Sequence, residues 1–346
     1  MIAPAMDVLR RLAPLGAVLG LLAGCGEVGE PDLGVQPAAT TSTTVTAESG
    51  SDAAATPTER PAPFVAQLTP SRPVGFVPEV LVADPLGVRL LDGSVLLPSV
   101  VAERAYDDPT GGLVVDVDGP GGRQIVWYPA TAPEGQVVSQ GSGRLMDVGF
   151  VDGSVHAVVA DGPQVRLLRL GDPDERVLRS FADGTTVTSA SAAAGLYALV
   201  LDDAACGALR FLGPDGNPLD VGGDLAPACP TPGRSTYGLV AVSPDGETFA
   251  FTRRQFRSDG VVAGTELVVR DLAGTERYRA MVADEGQAVL SLALDGQQLV
   301  LLRVVGEVGE VVRIDQGPGS EPVVTLAPGA RSATFTRVPP GPRSSG

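Results

Sequence analysis

The chain has 346 residues, 41 acidic against 25 basic, with a formal charge of −16 at pH 7, three cysteines, one histidine and only 4% aromatics. Every basic residue is an arginine, which excludes a lysine Schiff base and a phosphate-loop lysine, and the lone His156 excludes any mechanism built on two imidazoles. Strong negative charge with few aromatics also argues against nucleic acid, whose binding needs clustered cations and stacking platforms.

The first segment reads as an export signal. Arg10 and Arg11 precede an apolar run of thirteen residues, 12–24, which rises about 20 Å as a helix, short of the roughly 30 Å hydrocarbon core. A charged start followed by a short apolar stretch is the pattern of a secretory signal, here residues 1–24. The run ends in Leu22-Ala23-Gly24-Cys25, which resembles the lipobox of bacterial lipoproteins. The resemblance implies that Cys25 is diacylated and becomes the first residue of a mature chain held on the extracytoplasmic face of the cell membrane. Two or more acyl chains anchor firmly where a single one is marginal.

Residues 25–75 then form a tether. Between Gln36 and Pro63 lie 28 residues, 21 of them Thr, Ser, Ala or Pro, and Val45 is the only bulky apolar one. Such a composition cannot bury enough surface to offset its ordering entropy, so disorder is expected, with a mean span of roughly 40 Å.

From residue 76 the pattern becomes short Val/Leu/Ala-rich runs punctuated by Gly, Asp and Pro, which read as strands. A turn entering an apolar strand recurs at Asp108-Pro109-Thr110-Gly111-Gly112, Val151-Asp152-Gly153, Ala193-Ala194-Gly195, Ser243-Pro244-Asp245-Gly246 and Leu294-Asp295-Gly296. Taken at Gly112, Gly153, Gly195, Gly246 and Gly296, the turn glycines are 41, 42, 51 and 50 residues apart. A second strand follows each, as in Gln124-Ile125-Val126-Trp127-Tyr128. A four-stranded antiparallel unit of about 42 residues has the size of a propeller blade. The run from Val242 to Thr252 (Val-Ser-Pro-Asp-Gly-Glu-Thr-Phe-Ala-Phe-Thr), followed by Glu266 to Gly274, resembles the repeat of TolB-like, WD40-like propellers. The resemblance implies an all-β fold and, by analogy with TolB, a protein-docking role in the cell envelope. The extra N-terminal domain expected of TolB is not evident in the sequence.

Five complete units account for residues 101 to about 326. Three strand candidates at 80–83, 88–91 and 95–97 and a single one at 332–336 are left over. Three and one make a sixth blade closed by both ends of the domain, residues 76–338, with residues 339–346 as a disordered tail. Tandem β-sandwiches are the competing architecture, and they give the orphan terminal strands no purpose.

The remaining cysteines, Cys206 and Cys229, read as a disulfide in an exported chain. They lack the Cys-x-x-Cys spacing of a redox pair, and His156 lies in another unit, which weighs against a shared zinc site. Acidic pairs at Asp107-Asp108, Asp116/Asp118, Asp172/Asp174 and Asp202-Asp203 admit calcium as the one cofactor to consider, although aspartate is also a common turn residue. Gly141-Ser142-Gly143 is no nucleophile motif. No catalytic set emerges. The stretch 253–264 reads as an inserted hydrophilic loop, and its Arg254, Phe256 and Arg257 are candidate contacts for a partner. The expectation is therefore a lipid-anchored, extracytoplasmic six-bladed propeller serving as a non-catalytic module for an envelope protein or small ligand. The alternatives are a lactonase- or lyase-like propeller enzyme with a carboxylate-held metal at the channel mouth, and a purely structural wall-spanning protein.

Overall fold

The computed structural model describes residues 77–337 apart from Pro120, Gly121, Pro133, Asp152, Pro173, Ala204, Ala205, Asp224, 230–234 and 317–320. The signal segment, Cys25, the tether and the tail lie outside the described residues. The chain divides after Pro61 into two units, and every described residue belongs to the second.

Among the described residues there are twenty-four strands and no helix. First come β1 (Val80–Asp84), β2 (Gly87–Leu90) and β3 (Val95–Pro98). The first blade holds β4 (Ala102–Asp107), β5 (Leu113–Gly119), β6 (Gly122–Tyr128) and β7 (Gln136–Gln140). The second holds β8 (Arg144–Val151), β9 (Ser154–Asp161), β10 (Gln164–Arg169) and β11 (Glu175–Ser180). The third holds β12 (Thr186–Ala193), β13 (Leu196–Asp202), β14 (Gly207–Leu212) and the two-residue β15 (Pro218–Leu219). The fourth holds β16 (Ser235–Val242), β17 (Thr248–Phe256), β18 (Val262–Asp271) and β19 (Glu276–Asp284). The fifth holds β20 (Ala288–Asp295), β21 (Gln298–Val305), β22 (Val308–Asp315) and β23 (Val323–Leu326), and β24 (Ser332–Phe335) ends the series. Six antiparallel sheets of four result, one of them in the order β24-β1-β2-β3. Val80 pairs with Phe335 and Ala83 with Ser332, so the orphan strands of the two ends make the sixth, closing blade.

Each blade is covered on both faces by its neighbours, which explains the continuous apolar runs in its second strand. In β13, Leu196 through Leu201 are all buried. Six apolar clusters fill the six spaces between blades. The scarce aromatics gather between the third and fourth blades, where Phe211 and Phe249 meet edge-on at 4.7 Å and Arg253 lies 5.4 Å from the Phe251 ring centre. A disulfide joins Cys206 to Cys229 beside the backbone bridge between Gly207 and Ala228. It ties the β13–β14 loop to the connection that leads into the fourth blade.

Two details differ from the sequence reading. In the first repeat the left-handed residue is Gly111 (φ 87°), in line with Gly153, Gly195, Gly246 and Gly296, so the first spacing is 42. Gly112 is required for space instead, because a Cβ there would lie 2.2 Å from Asp108 Oδ2. The stretch 253–264 is not a loop: β17 and β18 continue in register through Arg253↔Glu266 and Gln255↔Gly264, and only the tip at 257–261 turns. Regular alternation of backbone pairs overrides the polar composition there.

The innermost strands β4, β8, β12, β16, β20 and β24 run parallel to one another around the channel. Val240 and Val242 of β16 donate their N–H groups to Ser189 Oγ and Ser191 Oγ of β12 in step. The turns that end these strands therefore share one face. Both ends of the ring are there too: Thr336 N–H donates to Glu79 O (2.8 Å), and Glu79 N–H donates to Thr336 Oγ1 (2.9 Å). The tips of the hairpins β5–β6, β9–β10, β13–β14, β17–β18 and β21–β22 lie on the opposite face, called distal below.

Candidate functional site

The channel is built from a repeated irregularity. In each of the five sequential blades the innermost strand carries one extra residue relative to its partner, between Ala102/Arg104, Leu145/Asp147, Val187/Ser189, Tyr237/Val240 and Val289/Ser291. A bulge twists a strand and re-aims the side chain that follows it. The residues that follow are Arg104, Asp147, Ser189, Val240 and Ser291, and four of the five are polar. They reach across to the next blade or its backbone. Arg104 Nη1 donates to Leu145 O (2.9 Å), Ser189 Oγ accepts from Val240 N–H (3.1 Å), and Ser291 Oγ accepts from Ala333 N–H (2.9 Å). Thr334 Oγ1 donates to Ala105 O (3.0 Å), which joins the closing blade to the first.

These strands enclose a cavity of about 370 Å³ that all six blades line. Its sides differ in chemistry. β4, β8 and the segment after β24 supply Arg104, Tyr106, Asp147 and Arg337; β16 and β20 supply Leu239, Val240, Leu290, Leu292 and Leu294. The most heavily bonded polar group is Asp147, buried at 5% exposure. Its carboxylate accepts from Val148 N–H (2.8 Å), Ser191 Oγ (2.9 Å), Ala192 N–H (2.8 Å) and Arg337 Nη2 (2.7 Å). Arg337 also donates from its backbone to Asp107 and from Nη1 to Val148 O, so it straps the closing blade to the first and second. Tyr106 donates to Met146 O (2.5 Å), and burial pushes its phenol well above the ordinary range, so it stays protonated. The Asp147 carboxylate is thus held by four donors, and the Tyr106 phenol is held against a carbonyl.

The acidic pairs serve the chain itself. Asp108, fully buried, accepts from Thr110 N–H (2.6 Å) and Trp127 Nε1 (2.7 Å). Asp172 and Asp203 accept from Asp174 N–H (3.3 Å) and Cys206 N–H (2.7 Å) within their own turns. Asp116 departs from the turn reading. It lies within β5 at 1% exposure, accepts from Leu145 N–H (3.1 Å) and faces Arg123 Nε at 3.1 Å. Burial raises its pKa, and Arg123 offsets part of that rise. Among the described residues no three His, Cys, Asp or Glu side chains converge as a metal site would require. His156 Nδ1 sits 3.2 Å from Ser154 O, and Ser142 Oγ donates to Asp161 (2.8 Å).

The structure does not bring Arg254, Phe256 and Arg257 into the channel. They lie toward the distal end of the β17–β18 hairpin, where Arg257 pairs with Asp259 (2.9 Å) and Glu285 (3.0 Å). Arg254 lines a second cavity of about 520 Å³ with Val261, Val262 and Ala288, and Leu239 borders both cavities. Sequence reasoning missed Arg104, Asp147 and Arg337. An acid inside the apolar run Leu145-Met146-Asp147-Val148 was a usable signal for the second, whereas Arg337 is 190 residues away from it in sequence.

No protein-family model matches the chain, and no curated protein does. Solved structures do. TolB from Acinetobacter baumannii superposes over 75% of this chain and 66% of its own, with a TM-score of 0.53 and 12% identity. This chain thus spans just under two thirds of that protein. A chain of a nidogen/laminin complex superposes over 75% of this chain and 98% of its own, with a TM-score of 0.50 and 9% identity. A putative TolB from Agrobacterium tumefaciens gives a TM-score of 0.49 at 14% identity over 73% of this chain and 90% of its own. At such identities the likeness is one of fold, and the fold of the described residues is a six-bladed, TolB-like β-propeller.

Proposed function

We propose that the chain is a lipid-anchored propeller of the cell envelope whose ring is a non-catalytic binding module, presenting its distal face and channel to an envelope protein or small ligand. The observation that carries this reading is the common exit of both ring ends on one face. A tether that begins at Cys25, ahead of β1, joins the ring on the terminal face and leaves the distal face free of its attachment. The disulfide supports an oxidising compartment, and the saturated Asp147 favours binding over chemistry.

Cys25→Ala is expected to move the protein from the membrane to the soluble envelope fraction, and undiminished membrane retention would overturn the anchoring. A photo-crosslinking side chain at Phe256, on the distal face, is expected to capture envelope proteins that one at Glu247, on the terminal face, does not. Equal capture from both positions defeats the orientation argument. Stoichiometric calcium in the purified protein would favour the metal-dependent enzyme instead.

A further inference from the structure

On a chain with 16 excess negative charges, three arginines collect around one buried carboxylate at the distal end of the first and second blades. Arg104 stands opposite Asp116 in the β4–β5 register, and Arg123 Nε lies 3.1 Å from the same carboxylate. Arg144 opens β8, and the next residue, Leu145, both donates its N–H to Asp116 and accepts from Arg104. The one other acid in this cluster's strand register is the exposed Asp118, opposite Arg123. The neighbouring acids Glu103 and Asp161 are engaged by Arg331 and Arg166. Arg144 itself is exposed, and among the described residues no carboxylate reaches it within ion-pair distance. Its pKa is lowered, first by partial burial and then by Arg104 and Arg123. Like charges held together are unfavourable unless an anion completes the set. Arg104 also lines the channel.

Three blades away, and so on the other side of a six-bladed ring, Leu239, Leu290 and Leu292 line the same cavity, and Leu290 is 41% exposed. At about 30 Å³ per water-sized group, 370 Å³ holds about a dozen non-hydrogen atoms. A guanidinium fork matches the oxygens of a carboxylate or phosphate.

We propose that the distal mouth of the channel binds a small organic oxyanion, with Arg104 at its charged group, Arg123 and Arg144 adding positive potential behind Arg104, and the leucine wall of β16 and β20 against its apolar body. The proposal rests on reading the ring as a binding module and adds the ligand's chemical class.

The test is calorimetric titration of the full chain carrying Cys25→Ala, which needs no detergent, with hexyl phosphate, hexanoate, hexanol and inorganic phosphate. Binding of hexyl phosphate or hexanoate at least tenfold tighter than both hexanol and inorganic phosphate is expected, with whichever of the two binds tighter identifying the charged group. Arg144→Gln should weaken that binding about tenfold without lowering the melting temperature, because the side chain is exposed and its loss relieves like-charge repulsion, and Leu290→Ser should weaken binding while sparing inorganic phosphate. Hexanol binding as tightly as the anions, no heat from either anion, or full affinity in Arg144→Gln would each overturn the proposal. None of these outcomes would alter membrane retention or crosslinking, so failure here is distinguishable from failure of the module reading.

Discussion

Single residues decide how the channel is held, and Asp116 shows how burial and charge compete. Its carboxyl is raised by burial despite Arg123 and the Leu145 amide. The folded chain therefore keeps that proton to a higher pH than the unfolded chain. Protonated Asp116 costs nothing in acid, and its burial subtracts stability as pH rises from the unfolded value, about 3.9, through the raised folded one. Asp116→Asn keeps a carbonyl acceptor for Leu145 and does not titrate. Its stability relative to wild type is expected to rise between pH 4 and pH 7. Urea melts of both proteins at both pH values check this, and a stability difference independent of pH would remove the burial argument. The sequence showed Asp116 only as half of an acidic pair. Its place inside β5 follows from register, which composition does not report.

At the scale of elements, turns and hairpins were the most legible features, because each depends on a few adjacent residues. The recurring Asp-Gly turns pointed to every second strand, while the placement at Gly112 was off by one since two adjacent glycines there serve different needs. The β17–β18 hairpin reads as a loop in sequence because its far half carries arginines and glycines, yet its backbone pairing continues to Phe256↔Val262. The disulfide belongs to this scale as well. It closes a loop with a sequence separation of 23 residues, which by chain entropy contributes about 3 kcal/mol. Replacing both cysteines by serine is expected to lower the melting temperature by about 6–10 °C for a domain of this size. Calorimetry of the oxidised protein and the double variant measures it, and coincident transitions would show that the β13–β14 loop is held without the bond.

For the whole molecule, stability and orientation both follow from closure. β24 supplies the innermost strand of the closing blade, all four of its residues are buried, and Phe335 fills the cluster shared with the fifth blade. Removing it would open two edges and uncover that cluster. Deletion of residues 332–336 is expected to lower the melting temperature by at least about 10 °C, since losing the burial of a phenylalanine alone costs about 3–5 kcal/mol. An unchanged thermal transition would show that the ring does not depend on terminal closure. The same closure places both ends on one face, so the β17–β18 tip and the arginine cluster share the other.

The sequence by itself determined the blade count, the pairing of the end strands, four of the five recurring turn glycines and the cysteine bond. All of these rest on local patterns or on a period, and local physics repeats wherever the pattern does. Only the tertiary structure decided which polar residues meet in the channel. Arg337 and Asp147 are 190 residues apart, and Arg104, Arg123 and Arg144 come from three different strands. Nothing in their spacing marks them, because they are neighbours through the turning of the ring and the one-residue bulges of its inner strands. A bulge changes where a side chain points without changing what the sequence says about strand or turn.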